Sequence, residues 1–369
     1  MKKLITALAT ILLTGFASAQ PTAKSDYFEQ SVAASDPLRV EQASELDAYI
    51  QAMKQDPVAL RALLQPDYSS PKAFALSVQA YRENFCNRIG YPPRGEIPSE
   101  VPSFEKMGED SIGTYYRVRI AILPAVHMEG IYIVPKAVSG RRPLIIAMHG
   151  GGGSPERALF NGGSNYHDMV RGGVKRGYVV FAPQHLFASP GLAKNLRNTI
   201  DQRMRLIGTS LTAVEIAKIT RSLDVLLQRP EVDPNHVGMV GLSYGGYYSL
   251  VTAAVDSRIR VAVSSCYYGI QEGRYERDEL SVPSDFQFMD RFSLFRDADL
   301  VALICPRALQ IQAGSNDDSD HRDPGIKQAP ISAAYYAKLG LADRFQHVVF
   351  EGKHEFNDAL AWRFVEQHL

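Results

Sequence analysis

The sequence predicts an α/β protein with a doubly wound, mostly parallel sheet. After Arg142, short apolar runs alternate with helical stretches, as strands and crossover helices do in parallel sheets. In addition, motifs with reactive side chains directly follow several of these runs, at the strand ends where such sheets bind ligands. The predicted strands are Leu144–Met148, Tyr178–Ala182, Val237–Leu242, Val261–Ser264, Ala308–Gln312 and Gln346–Phe350. Between the second and third strands we expect a long helical segment, residues 198–227.

The N-terminus has the pattern of a secretory signal peptide. Lys2 and Lys3 precede an apolar run, 4–16, and the small residues Ala-Ser-Ala follow at 17–19. We expect residues 1–19 to be removed and the protein to be secreted or periplasmic. A membrane anchor is the alternative, but the run is short for a bilayer span. We therefore expect no membrane association after signal removal.

The chain before the sheet predicts mainly helices. Residues 20–110 form the expected N-terminal helical extension, with apolar residues at helical spacing in 38–56 and 71–89. Two alternating runs on either side of Pro124 then predict a pair of strands. The expected catalytic domain is 111–369.

The composition argues against several kinds of partner. Forty basic and forty acidic residues give a formal net charge of zero, which disfavours a broad nucleic-acid surface. The three cysteines, Cys86, Cys266 and Cys305, form no CxxC or zinc pattern, and we expect no disulfide. We expect a small-molecule partner, and the sequence leaves the oligomeric state open.

A nucleophile motif follows the third predicted strand. Residues 241–245 are Gly-Leu-Ser-Tyr-Gly, and a stretch rich in small residues follows as a predicted helix. A serine on a tight strand-to-helix turn is exposed to substrate, and the flanking glycines leave room for the backbone. The helix that follows points its positive end at the hydroxyl. We therefore predict that Ser243 is the nucleophile.

A nucleophilic serine needs a base, and the base needs an orienting acid. His354 follows the last predicted strand, and two adjacent carboxylates, Asp317 and Asp318, follow the strand before it. The order serine, acid, histidine is the one found in sheets of this kind. The sequence favours Asp317 as the acid and leaves Asp318 as the alternative.

The acidic stretch 317–323 also raises the question of a metal. It contains Asp318, Asp320, His321 and Asp323, but it lacks the spacing of a calcium loop. We interpret it as a solvated acidic loop and expect neither a metal nor a cofactor.

Acyl transfer also requires donors for the developing oxyanion. The first predicted strand after Arg142 ends in His149 and four glycines, 150–153. Backbone N–H groups of such a loop can turn inward without obstruction, and no phosphate-binding glycine pattern fits. We expect one donor from Gly151 or Gly152 and the other from the N–H of Tyr244.

Two further side chains are candidate substrate contacts. Tyr267 follows the run Val261–Ser264, and His185 follows the run Tyr178–Ala182. Both lie at the strand ends that form the expected cleft, where an aromatic ring could stack on a sugar. Ordinary packing is the alternative for Tyr267.

These motifs, in this order and spacing, resemble the α/β-hydrolase superfamily. Within it the chain is similar to the exported bacterial esterases of the dienelactone-hydrolase and acetyl-xylan-esterase-like group. The segments that carry the resemblance are 149–153, 229–234, 241–245, 314–317, 335–340 and 352–356.

The resemblance implies cleavage of carboxylic esters through an acyl-enzyme, with carbohydrate acetyl esters as one substrate class. Dienelactone hydrolases proper use a cysteine nucleophile, whereas this chain has Ser243, which favours ordinary esters.

Two other functions remain open. A serine peptidase of the prolyl-oligopeptidase type would share the motifs, but such enzymes normally carry a β-propeller, for which the N-terminal extension is too short. A binding module on a hydrolase fold would be expected to lack one of the three reactive residues, and all three are present.

Overall fold

The computed structural model describes residues 28, 30–54, 57–136, 140–160, 165–187, 196–279 and 284–369. The predicted signal peptide, 1–19, lies outside these residues. The chain divides into two compact units at Met53. Within the first unit, a short 3-10 turn leads into helix α1, Asp36–Met53, which includes most of the predicted helix 38–56.

The second unit is built on one sheet of nine strands. The strands are β1 (Ser103–Glu109), β2 (Gly113–Leu123), β3 (Val126–Pro135), β4 (Arg142–Met148), β5 (Val179–Pro183), β6 (Val232–Leu242), β7 (Ile259–Ser265), β8 (Ala308–Gly314) and β9 (Phe345–Phe350). Their order is β1-β2-β3-β5-β4-β6-β7-β8-β9. Strands β1, β2 and β3 pair antiparallel, and β3 also pairs antiparallel with β5. The six strands β4 to β9 run parallel to one another. The predicted doubly wound, mostly parallel sheet is confirmed.

Helices cover both faces of the sheet. They are α2 (Pro57–Leu63), α3 (Pro71–Ser77), α4 (Gln79–Ile89), α5 (Pro155–Phe160), α6 (Arg171–Lys175), α7 (Leu196–Arg205), α8 (Leu211–Leu226), α9 (Tyr244–Val255), α10 (Ile270–Glu276), α11 (Asp297–Ile304), α12 (Ser319–Lys338) and α13 (Asp358–His368). Buried residues of α4, α8, α9 and α11 pack on one face, and those of α5, α6 and α13 pack on the other. Across the described ranges, no helix combines the length and apolarity needed to cross a membrane.

Two predicted helices are each divided in two. The segment 198–227 contains α7 and α8, because Gly208 takes a left-handed φ of 82° and Ser210 then caps the next helix at Ala213 N–H. Residues 71–89 form α3 and α4, with a break at Val78. Apolar spacing continues across both breaks, so periodicity alone did not reveal them.

The sheet order brings the reactive segments together. Strands β6, β7, β8 and β9 are consecutive neighbours and run parallel. The segments that follow them therefore meet along one edge of the sheet. Ser243 follows β6, Asp317 follows β8 and His354 follows β9.

Gly245 provides a test of how closely α9 packs on the sheet. A Cβ at this position would lie 2.2 Å from the carbonyl oxygen of Met148, a backbone atom. Gly245→Ala should therefore lower the free energy of unfolding by about 1–3 kcal/mol, because strand and helix must separate. Urea unfolding of the purified protein measures the change.

The matched control is Gly108→Ala on β1, where a Cβ would meet no atom within 4 Å. This variant should stay within about 0.5 kcal/mol of the parent protein. Equal stability of the two variants would contradict the close packing of α9.

Candidate active site

Ser243 lies on a strained turn between β6 and α9. Its backbone has φ 58° and ψ −115°, a positive φ that is costly for a residue with a side chain. Its N–H donates to the carbonyl of Ser265 at 2.7 Å, and its carbonyl accepts from the N–H of Tyr247 at 3.0 Å. These bonds to β7 and α9 hold the turn. A Cβ at Gly241 would lie 2.2 Å from the carbonyl oxygen of Gly245, so the turn also requires this glycine.

Asp317 and His354 form a hydrogen bond in the structure. His354 Nδ1 lies 2.7 Å from Asp317 Oδ2, and the aspartate side chain is only 4% exposed. Burial opposes ionisation of Asp317, but hydrogen bonds from His321 and His354 outweigh it and hold the pKa of the carboxyl below its usual range. The carboxylate therefore stays charged down to acidic pH.

Backbone hydrogen bonds join the loops that carry these two residues. Ser315 N–H donates to Phe350 O at 2.7 Å, and Asn316 N–H donates to Gly352 O at 2.8 Å. The distance between the acid and the histidine is thus set by the main chain as well as by the side chains.

Asn165 holds the histidine loop from the other side. Its side-chain amide donates to His354 O at 3.1 Å, and its carbonyl accepts from Phe356 N–H at 2.9 Å. Asn165 could not be found from the sequence, because no motif links it to a histidine 189 residues away.

Cys266 links the end of β7 to the same cluster. Its sulfur and the side-chain atoms of Asp317 and His354 all lie within 4.8 Å of one another. The thiol donates to Glu355 O at 3.4 Å, and burial together with the charge of Asp317 raises its pKa to about 12. Cys266 is therefore a neutral packing contact behind the carboxylate.

Asp318 is exposed, and its backbone N–H donates to Asp317 Oδ1 at 2.8 Å. Most of the expected acidic loop is in fact the start of helix α12, which begins at Ser319, and His321 on its first turn bonds Asp317. Asp317, Asp318 and His321 are also close enough to share a metal ion, but Asp317 Oδ1 already accepts from His321 and from a backbone N–H.

The glycine loop after β4 lies beside the nucleophile. A Cβ at Gly150 would be 3.4 Å from the Cβ of Ser243. The N–H of Gly150 donates to the hydroxyl of Tyr166 at 2.9 Å, so this amide is already engaged. Gly152 has a φ of 68°, which turns the chain and leaves Gly151 and Gly152 at the exposed tip of the loop.

Two neutral histidines support this loop. Burial lowers the pKa of His149 to about 4 and holds that of His185 well below its usual range. His149 Nδ1 donates to Gly150 O at 2.9 Å, and its Nε2 accepts from the amide of Gln184 at 3.1 Å. His185 Nε2 donates to the carbonyl of His149. His185, a candidate substrate contact, is 1% exposed, and its bond to His149 supports the glycine loop.

The ring of Tyr244 is fixed by a buried charge pair. Its hydroxyl donates to Asp285 Oδ2 at 2.9 Å and accepts from Arg197 Nε at 3.2 Å, and Arg197 also bonds Asp285. His185 stacks on the ring at 4.6 Å with an angle of 10°. The main chain of Tyr244, next to the nucleophile, is therefore held through its side chain. Sequence reasoning missed Arg197 and Asp285, which carry no motif.

Tyr267 lies in the interior. Its side chain is 3% exposed, with ring centres 5.1 Å from Tyr247 and 5.6 Å from Phe286. A residue at the rim of the cleft would be in contact with solvent, whereas Tyr267 is surrounded by aromatic rings. Tyr267 is therefore a packing residue, as the alternative interpretation of the sequence had it.

A cavity of about 750 Å³ opens beside the glycine loop. Most of its lining is polar or charged. The lining residues include Arg119, His127, Glu129, Gly152, Gly153, Ser154, Arg157, Gln184, His185, Phe187 and Lys218. Phe187 connects the cavity to the nucleophile turn, since its ring lies 4.6 Å from that of Tyr244.

Comparison with known proteins gives a family match over the middle of the chain. Residues 128–289, from β3 to the segment after α10, match the dienelactone hydrolase family. YtaP of Bacillus subtilis (strain 168), a protein named as a hydrolase, is 26% identical over 251 residues, which are 64% of this chain and 82% of YtaP.

Solved structures show the same fold at low identity. A protein of Bacteroides fragilis NCTC 9343, named as an acetyl xylan esterase, aligns with a TM-score of 0.61 and 17% identity over 79% of this chain and 81% of its own. A glucuronoyl esterase from Solibacter usitatus aligns with a TM-score of 0.58 and 16% identity over 85% of this chain and 98% of its own. The α/β-hydrolase fold is confirmed.

Proposed function

We propose that this α/β-hydrolase, whose residues 128–289 form a dienelactone hydrolase family domain, is a serine esterase with Ser243, Asp317 and His354 as its triad. The observation that carries the proposal is the 2.7 Å hydrogen bond between Asp317 and His354 on the sheet edge where the strained serine turn lies. Asp317 accepts a hydrogen bond from Nδ1–H of His354, so Nε2 of the same ring is left to act as the base.

In this mechanism the hydroxyl oxygen of Ser243 attacks the ester carbonyl while His354 takes the hydroxyl proton. The tetrahedral intermediate then collapses, and the proton passes from His354 to the leaving alcohol. Water attacks the acyl-enzyme with the help of the same base and releases the acid. Asp317 stays ionised throughout and stabilises the imidazolium.

The oxyanion is held by main-chain donors. We assign one to the N–H of Tyr244 and the other to Gly151 or Gly152. The anchoring of Tyr244 by Asp285 and Arg197 supports the first assignment, and the positive end of α9 adds to the stabilisation. The position of Gly150 against Ser243 supports the second, because the loop tip then lies next to the reacting carbonyl.

We propose carbohydrate acetyl esters as the substrate class. The polar cavity beside the glycine loop has donors and acceptors that suit sugar hydroxyls, including Arg157, Gln184 and Ser154. The solved structures named as acetyl xylan and glucuronoyl esterases are consistent with a carbohydrate ester. Nothing in the mechanism requires a metal or a cofactor.

The proposal also covers the cellular location of the enzyme. We propose that residues 1–19 are a signal peptide, that 20–110 extend the catalytic domain 111–369, and that the mature enzyme is secreted or periplasmic. The charged start, the apolar run and the small residues before Gln20 support this proposal.

The purified protein should hydrolyse short acyl esters such as 4-nitrophenyl acetate, and Ser243→Ala should remove essentially all of this activity. The variant loses the only atom that can form the acyl-enzyme in this mechanism. A serine-directed phosphonate should label the parent protein once, and peptide mapping should find the adduct at Ser243.

The parent protein is assayed in parallel on acetylated oligosaccharides and on proline-containing peptides. Preference for the peptides would replace the esterase assignment with the peptidase. Labelling of a residue other than Ser243 would disprove the choice of nucleophile.

The choice of acid is tested with a matched pair. Asp317→Asn should lower kcat by several orders of magnitude, since the histidine loses its preferred tautomer and orientation. Asp318→Asn should be mild, because that carboxylate is exposed and the hydrogen bond of His354 goes to Asp317. Circular dichroism checks that both variants fold, and a reversed order of effects would reassign the acid to Asp318.

Export is tested in the native host. The mature protein should begin at Gln20 and should be found outside the cytoplasm, because the segment before it has the features of a cleaved signal peptide. N-terminal sequencing and cell fractionation measure both. A mature protein that retains Met1 would disprove the signal-peptide prediction.

A further inference from the structure

We infer that His321 is a positioning residue of this active site, which holds the triad carboxylate in the orientation that binds His354. His321 Nδ1 lies 3.1 Å from Asp317 Oδ1, while His354 Nδ1 lies 2.7 Å from Oδ2. One carboxylate is thus shared by two histidines. The inference rests on the proposed function, since it gives His321 a role in the same triad.

The need for a second donor follows from burial. The Asp317 side chain is 4% exposed, and a buried carboxylate oxygen without a donor is costly. The N–H of Asp318 reaches Oδ1 at 2.8 Å, and His321 is the second donor to that oxygen. With both oxygens bonded, rotation of the carboxylate would break hydrogen bonds on each side. Oδ2 therefore stays directed at His354.

The position of His321 on α12 explains how it reaches the acid. It lies four residues after Asp317, at the first turn of the helix, so that its side chain points back along the helix axis. Its ring centre lies 5.0 Å from that of His354, and its side chain is 23% exposed.

Other polar groups around the cluster do not take the place of His321 at Asp317 Oδ1. Cys266, which also lies beside Asp317, is a neutral thiol whose pKa is raised to about 12 by burial. Asp318 is exposed to solvent, and Arg322 is engaged with Asp323 and with Ser315 O. On α12, Asp320 is paired with Arg277.

The test compares His321→Leu with His321→Asn. Leucine removes the donor, whereas the Asn amide nitrogen can occupy the place of Nδ1 but cannot take a proton. His321→Leu should lower kcat about tenfold, the value of one hydrogen bond to a charged group, with little change in KM. His321→Asn should recover most of kcat, because its amide restores the hydrogen bond to Asp317.

A readout that does not depend on turnover separates this inference from the proposed function. In the parent protein, the downfield proton signal of His354 Nδ1–H should be visible by NMR. It should persist in His321→Asn and broaden through faster exchange in His321→Leu. The control is His236→Leu, an exposed histidine that pairs with Asp233 near the start of β6.

The outcomes are distinct. An inactive parent protein with the expected NMR changes would reject the esterase and keep the positioning role. An active parent protein whose His321→Leu variant has unchanged kcat and an unchanged NMR signal would overturn the inference. The same losses in His236→Leu would also overturn it, because they would be general effects of removing a histidine.

Discussion

The hydrogen bond between Asp317 and His354 sets the geometry that the rest of the site supports. The two residues are 37 positions apart in the chain, and neither could hold the other without the sheet. Strands β8 and β9 lie side by side, and backbone hydrogen bonds join the loops that follow them. A carboxylate as buried as Asp317 needs several donors, and the amide of Asp318 and the ring of His321 supply them.

The same edge of the sheet fixes the serine turn. The positive φ of Ser243 is unfavourable by itself, and it persists because β7 and α9 bind its backbone on both sides. Cys266 follows the residue that binds this backbone, and its thiol packs against the acid and the histidine. The end of β7 thus connects the nucleophile to the Asp317–His354 pair through direct contacts.

A separate buried network fixes the residue after the nucleophile. Arg197 and Asp285 lie 88 positions apart and meet at the hydroxyl of Tyr244. Burial raises the pKa of Asp285, and the contact with Arg197 offsets part of that cost. His149 and His185 brace the glycine loop, so buried side chains hold the main chain at both proposed oxyanion donors.

Much of the fold was determined by local properties of the sequence. The six apolar runs after Arg142 all became strands, because their length and composition suit a sheet buried on both faces. The glycines around Ser243 and after His149 marked tight turns, because only a residue without Cβ fits there. The order serine, acid, histidine could be seen directly along the chain.

Only the tertiary structure decided which side chains meet. The sequence favoured Asp317 but left Asp318 as the alternative, and the hydrogen bond from His354 to Asp317 Oδ2 distinguishes the two. The four-residue spacing of His321 from Asp317 was visible, but its meaning depended on a helix where we expected a loop. Tyr267 lies inside an aromatic cluster assembled from distant segments. Such contacts depend on packing between parts of the chain that local patterns do not relate to one another.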